Sequence, residues 1–248
     1  MLSLLLITAV VAAGRGVWSP CGLSMLSSLN PVSEAGRGHR FSATACWYVA
    51  GAAVGGALLG AACAGGAFAA GRVAISSSVM WTLALVAAAV ALVSDSRVLG
   101  WSLPDHPRQV DERWLRTYRR WIYAGGYGVQ IGTGFATYIM TAAVYLVAAL
   151  AIVAGDPAQA FAAGLTFGVV RGLSIAVAGF ARSPELLRDL LARVDAWAAP
   201  SLLVACAAET AVAAAAAWRL SGSALAAVVT ALLVAAVAAG TRRTVVAH

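Results

Sequence analysis

"GVWSPCGLSMLSSLNP", residues 16–31, sets a proline and a cysteine side by side late in an apolar segment that begins at Leu2. Proline has no backbone N–H, and its ring clashes with the carbonyl one turn earlier, so a helix bends or breaks there. Lipid offers no replacement hydrogen bond. Irregular backbone at membrane depth survives only inside protein or beside a water-filled cavity. A straight helix from Leu2 to Leu29 would be ~42 Å long, against a hydrocarbon core of ~30 Å. The segment is therefore expected to break at Pro20, to free carbonyls near Gly16 and Val17, and to turn Cys21 toward the interior.

The rest of the chain supports a membrane reading. Of its 248 residues, 61% are hydrophobic and 11% charged, and the mean hydropathy is +0.85. Soluble domains are about half apolar and roughly a quarter charged. Apolar runs define about seven spans, near 2–29, 43–65, 74–94, 123–153, 158–181, 197–218 and 223–240. The expected fold class is an all-α polytopic membrane protein embedded in the lipid bilayer.

All seventeen cationic residues are arginines, and their placement orients the chain. One alternate set of loops holds Arg37, Arg40, Arg97, Arg108, Arg113, Arg116, Arg119, Arg120, Arg182, Arg188, Arg193, Arg242 and Arg243; the other holds Arg72 and Arg219. Thirteen against two is a positive-inside asymmetry. It predicts an N-terminus outside and a C-terminus in the cytoplasm of a bacterial cytoplasmic membrane. It also argues against cleavage after "MLSLLLITAVVAAG" (1–14), which lacks a basic leader and whose loss would invert every later loop. The net charge of +7 is explained by this anchoring, so no nucleic-acid partner is expected. "RQVDERWLRTYRRWIY" (108–123) spaces Val110, Trp114, Tyr118 and Ile122 four apart, which predicts an amphipathic interfacial helix leading into span four.

Glycines at four-residue spacing let helix backbones approach closely in lipid. Gly51 and Gly55, Gly56 and Gly60, Gly128 and Gly132, and Gly164, Gly168 and Gly172 have that spacing. Spans one and four both carry a flexible stretch, marked by Pro20 and Gly22 in the first and by Gly132 and Gly134 in the second. Interrupted helices in matching places of two halves point to a site near the midplane. The expected architecture is one membrane domain: repeat one at about 1–95, a cytoplasmic amphipathic loop at 96–122, repeat two at about 123–218, inverted relative to the first, and an extra helix at 223–240.

"SPCGLSMLSSLNP" (19–31) resembles the first-helix signature of the CcdA/DsbD-type transmembrane domain, the cytochrome c biogenesis protein transmembrane region. The resemblance is clearest over residues 14–65. It implies transfer of reducing equivalents across the cytoplasmic membrane by thiol–disulfide exchange, as used in cytochrome c maturation. No cofactor is expected. It also implies a cytoplasmic thioredoxin and an extracytoplasmic thioredoxin-like protein as partners. In that family the second active cysteine lies in the fourth helix. Here "GTGFATYIMTAAV" (132–144) has none, so only Cys21 carries over and Cys206 or Cys46 would have to supply the second thiol. Cys63 is a weaker candidate for that role, and Cys46, Cys63 and Cys206 all read equally as small packing residues.

Arg15, Arg171 and Glu209 interrupt apolar spans, and ionisable residues at such depth are functional candidates by default. A Glu209–Arg171 ion pair would neutralise the deepest charges, either as a structural lock or as a proton or anion site. These charges support the alternative reading: a non-redox small-solute or ion transporter, or a membrane partner subunit, on the same fold. No metal-ligand spacing occurs, and His39, His106 and His248 lie in loops or the tail.

Overall fold

A computed structural model describes residues 1–73, 75–104 and 108–221. Among these the chain is helical, without strands. The helices are α1 (Leu2–Arg15), α2 (Pro20–Ser28), α3 (Pro31–Gly36), α4 (Phe41–Arg72), α5 (Ser77–Ser96), α6 (Trp114–Thr117), α7 (Arg120–Gly132), α8 (Ala143–Val153), α9 (Pro157–Leu173), α10 (Pro184–Ala196) and α11 (Ala198–Ser221). One 3₁₀ turn, Gly16–Trp18, follows α1, and another, Ser174–Phe180, continues α9.

The protein is a multi-pass membrane protein. Among the described residues, four helical stretches are long and apolar enough to cross a bilayer: Phe41–Arg72, Ser77–Ser96, Pro157–Phe180 and Ala198–Ser221. The bent pair Leu2–Trp18 and Pro20–Ser28, whose axes differ by 66°, is a broken span or a re-entrant loop. The expected fourth span is split into α7 and α8, with residues 133–142 outside any helix. The expected helix at 223–240 and the arginines of the tail lie outside the described residues, which hold four candidate crossings, or five with the bent pair.

The glycines set how closely the helices pack. A Cβ at Gly56 would lie 2.5 Å from the Gly164 carbonyl and 2.7 Å from Gly168 Cα. On the other side of α4, a Cβ at Gly55 would lie 2.8 Å from Thr133 N, and one at Gly128 would lie 2.7 Å from Ala52 N. Thus α4 is the central helix, touching α9 along one small-residue edge and α7 along another. Around it, α5 packs on α11, and α1 packs on α8 and α9. Two clusters of buried residues result. One gathers Leu5, Ala9, Leu59, Cys63, Trp81, Leu150 and Val212; the other gathers Cys21, Met25, Tyr48, Tyr123, Tyr127, Ile175 and Val194. Asp156 caps α9, accepting from Ala158 N and Gln159 N. The Gln159 backbone N–H and side-chain amide hold its carboxyl below the ordinary carboxylate range.

Two local expectations are corrected. The segment 108–123 is not one amphipathic helix. Tyr118 and Arg119 are extended, leaving four-residue α6 and a separate α7. Tertiary bonds replace helical ones here: the Arg108 carbonyl accepts from Tyr138 N at 3.0 Å, and Tyr127 Oη donates to the Asp111 carbonyl at 2.8 Å. Trp114 then stacks on Tyr127 with ring centroids 5.8 Å apart. Conversely, the stretch 182–196, expected as a loop, contains helix α10, capped by Ser183 and held by Trp18 Nε1 donating to the Val194 carbonyl at 2.6 Å.

Candidate functional site

The break in the first span is built from Ser19. Its backbone is extended, with φ −66° and ψ 151°. Its hydroxyl accepts from Gly22 N at 3.0 Å, capping α2, and donates to the Gly16 carbonyl at 2.7 Å. Pro20 then occupies the first helical position, where a missing N–H leaves nothing unpaired. Gly22 is required by the same fold-back: a Cβ there would lie 2.6 Å from the Gly16 carbonyl.

Arg171 reaches this break from α9. It is buried, with Nη1 3.4 Å from the Ala13 carbonyl and Nη2 3.3 Å from Ser19 Oγ. Its guanidinium fills the space a side chain at Gly16 would need. Cys21, fully buried, donates its thiol to the Arg108 carbonyl at 3.7 Å. That carbonyl also receives Tyr138 N, so Cys21 abuts the unwound stretch 133–142 through a single shared acceptor.

The unwound stretch makes the second break. It leaves α7 where Gly132 presses on Ala52 and turns at Gly134, whose φ of +72° suits glycine. It enters α8 through Thr141 and Ala142. Both bond Asp95 at the end of α5: Thr141 Oγ1 donates to Oδ2, and Ala142 N donates to Oδ1 at 2.7 Å. A carboxylate there also meets the positive end of the α8 dipole. Asp95→Ala would leave both donors without their acceptor. A loss of about 1–3 kcal/mol is expected, read as a lower unfolding temperature in detergent, with Asp95→Asn intermediate because it keeps one acceptor.

Beside Asp95 opens a cavity of about 310 Å³, lined among others by Arg15, Arg97, Tyr138, Thr141 and Cys206. Arg15 is 7% exposed. Its Nη1 donates to Ser201 Oγ at 2.7 Å and to the Ala198 carbonyl at 3.2 Å, and its guanidinium lies 5.8 Å from the Trp18 ring centroid. Glu209, fully buried, stands within electrostatic reach of Asp95 and Cys206.

The expected Glu209–Arg171 pair is therefore absent: no ion pair among the described residues joins them. Arg171 turns to the Ala13 carbonyl and the Ser19 hydroxyl at the broken first span, while Glu209 lies by Asp95 on the cavity side. The four cysteines are free and occupy four different settings. Cys21 lies at the first break and Cys63 in the cluster around Leu59. Cys206 lies on the cavity wall, and Cys46 is exposed on an apolar groove beside Phe41, Val49 and Leu173.

Sequence reasoning missed Asp95 and Glu34. Glu34 is fully buried, paired with Arg37 and bonded by Thr44 Oγ1 and Tyr123 Oη. Both carboxylates follow apolar runs and read as loop charges. The available signal was a proline-capped turn, Asn30–Pro31, before Glu34, and a lone acid one residue beyond the assumed end of span three.

The chain is similar to proteins named methylamine utilization protein MauF. The chain is 31% identical to the methylamine utilization protein MauF of Paracoccus denitrificans over 174 residues, covering 68% of this chain and 61% of that one. It is 29% identical to the Paracoccus versutus protein of that name over 181 residues, covering 71% and 65%. It is 30% identical to the Methylorubrum extorquens protein of that name over 202 residues, covering 79% and 70%. The match thus spans less than two thirds of each Paracoccus protein. No family model and no solved structure matches the chain.

Proposed function

The chain belongs to the family of the methylamine utilization protein MauF, and from that membership we propose that it serves methylamine utilization from within the membrane, passing reducing equivalents by thiol–disulfide exchange through Cys21. The observation that carries this reading is the position of Cys21. It is the second residue of α2, buried immediately after the break at Ser19–Pro20, and shares the Arg108 carbonyl with the break in the opposite half. Exchange needs two thiols whose Cα atoms can come within ~7 Å. Cys206 is favoured as the second, since it lines the cavity bounded by the same unwound stretch, whereas Cys46 is exposed on an apolar groove.

In this reading residues 1–95 and 123–218 form two inverted halves. The packing of α4 on α9, of α5 on α11, and of α1 on α9 as α7 on α4 supports it. The arginine asymmetry supports an N-terminus outside and a C-terminus in the cytoplasm. A cytoplasmic thioredoxin and an extracytoplasmic thioredoxin-like protein would be the electron donor and acceptor.

The test is thiol trapping in native membranes. Cells are acid-quenched, free thiols are blocked with a heavy maleimide, and the wild type is compared with Cys21→Ser before and after reduction. The expected result is one further cysteine that becomes reactive only after reduction in the wild type, and without reduction in Cys21→Ser. Four independently reactive cysteines in the wild type, and three in Cys21→Ser, would end the thiol reading.

A second reading has its own observation. The cavity holding Arg15 and Asp95 is a charged space between helices that works without any need for a thiol. It favours a small-solute or ion transporter on this fold.

A further inference from the structure

Arg15 and Asp95 line one cavity, carry opposite charges and stand within electrostatic reach of each other, yet form no ion pair. Opposite charges in a low-dielectric interior attract strongly and close up unless each is held elsewhere. Here each is held. Asp95 is fixed to the start of α8 by Thr141 and Ala142, and Arg15 is fixed to the start of α11 by Ala198 and Ser201. The two anchors belong to different helices and keep a gap between the charges.

The gap is incompletely satisfied. Arg15, more than nine-tenths buried, uses only Nη1 among the described residues; its Nε has no hydrogen-bond partner. Its Nη2 end makes no hydrogen bond among the described residues, and a guanidinium is suited to a carboxylate. Asp95 still has acceptor capacity beyond its two bonds, since an ionised carboxylate offers about four lone-pair sites. Fully buried Glu209 lies within hydrogen-bonding reach of Asp95, and its carboxyl group meets no other polar partner among the described residues. This side therefore suits a positively charged donor. A volume of about 310 Å³ is at the small end of ligand pockets.

We infer that this cavity binds a small zwitterion of amino-acid size, its carboxylate on Arg15 and its ammonium group on Asp95, between the start of α8 and the start of α11. The inference rests on the transporter reading of this cavity and names its ligand class. A simple anion would leave Asp95 facing it, and a simple cation would leave Arg15 facing it. Only a dipolar solute meets both walls. Cys206 stands on the same wall, so an occupant shields its thiol.

The experiment uses the full-length protein in detergent with three probes: l-alanine, acetate and methylammonium. Alkylation of wild-type cysteines by N-ethylmaleimide is followed peptide by peptide, with the exposed Cys46 as internal control. With l-alanine at about ten times its dissociation constant, labelling of Cys206 is expected to slow about tenfold while Cys46 is unaffected. Unfolding temperature is measured in parallel and is expected to rise with l-alanine alone. Arg15→Gln and Asp95→Asn should each abolish both effects. If acetate or methylammonium acts and l-alanine does not, the zwitterion assignment falls while the transporter reading stands. If none of the three shifts labelling or melting, the cavity is not a solute site of this class, and the transporter reading falls with it.

Discussion

Gly168→Leu is expected to prevent accumulation of folded protein. Extra methylenes in a packed core cost about 1–3 kcal/mol when neighbouring side chains can shift. At Gly168 the neighbours are backbone: a Cβ would lie 2.5 Å from Gly56 Cα and 2.7 Å from Gly56 N. No rotamer change relieves that contact. The α4–α9 pair must separate, and with it the face that presents Arg171 to the broken first span. Loss of well over 3 kcal/mol, against a total of about 5–15 kcal/mol for a typical protein, leaves little native population. Detergent-solubilised yield and unfolding temperature report it. Gly14→Ala and Gly65→Ala are the controls. Nothing lies within 4 Å of a Cβ at either position, and removing a helical glycine gains up to about 1 kcal/mol. If Gly168→Leu melts like these controls, the close α4–α9 approach is wrong.

Gly16→Ala is expected to cost about 3 kcal/mol, and Arg171→Met is expected to restore part of that loss. The new methyl group would coincide with the Arg171 guanidinium, which has to leave. Displacement breaks its contacts to the Ala13 carbonyl and Ser19 Oγ and leaves a charge unplaced at membrane depth. A central membrane arginine costs about 2.5–3.5 kcal/mol on insertion scales. Met in its place carries no charge and is flexible enough to share the space with a methyl group. The double variant should therefore melt above Gly16→Ala, although Ser19 loses a donor in both. A double variant no more stable than the single one would show that Gly16 serves backbone geometry rather than room for Arg171.

These two sites differ in how far the sequence revealed them. The four-residue glycine spacing pointed to close packing on spans two, four and five, and those glycines do meet neighbouring backbones. The spacing is a local property, so it could be read locally. Gly16 gave no such sign. The group that needs its missing side chain lies 155 positions away on α9. The same holds for Arg171: its depth was plain, but Glu209 was the obvious partner by charge. The structure gives the guanidinium the Ala13 carbonyl and the Ser19 hydroxyl beside the break instead.

The α10 helix and the split at Tyr118–Arg119 show the limit in opposite directions. Ser183 and Pro184 are ordinary helix-start signals, and a reading tuned to apolar spans passed over them. The apolar spacing of 110–122 was a fair helix signal. Docking of Val110, Asp111 and Trp114 on the bundle outweighed it, because tertiary bonds to Tyr127 and Tyr138 replaced a few helical ones.

By itself the sequence determined the solvent and the crossings: apolar runs of span length settle that the chain is a polytopic helical membrane protein, and Pro20 settles where the first span breaks, because lipid penalises unpaired backbone at every residue independently. Tertiary structure alone decided which charges meet. Asp95 reads as a loop residue until Thr141 and Ala142 are folded against it, and Arg15 reads as an isolated charge until α11 supplies Ala198 and Ser201. Hydrogen bonds and electrostatics act across a few ångströms of space, and the groups they join here stand 46 to 186 positions apart in the chain.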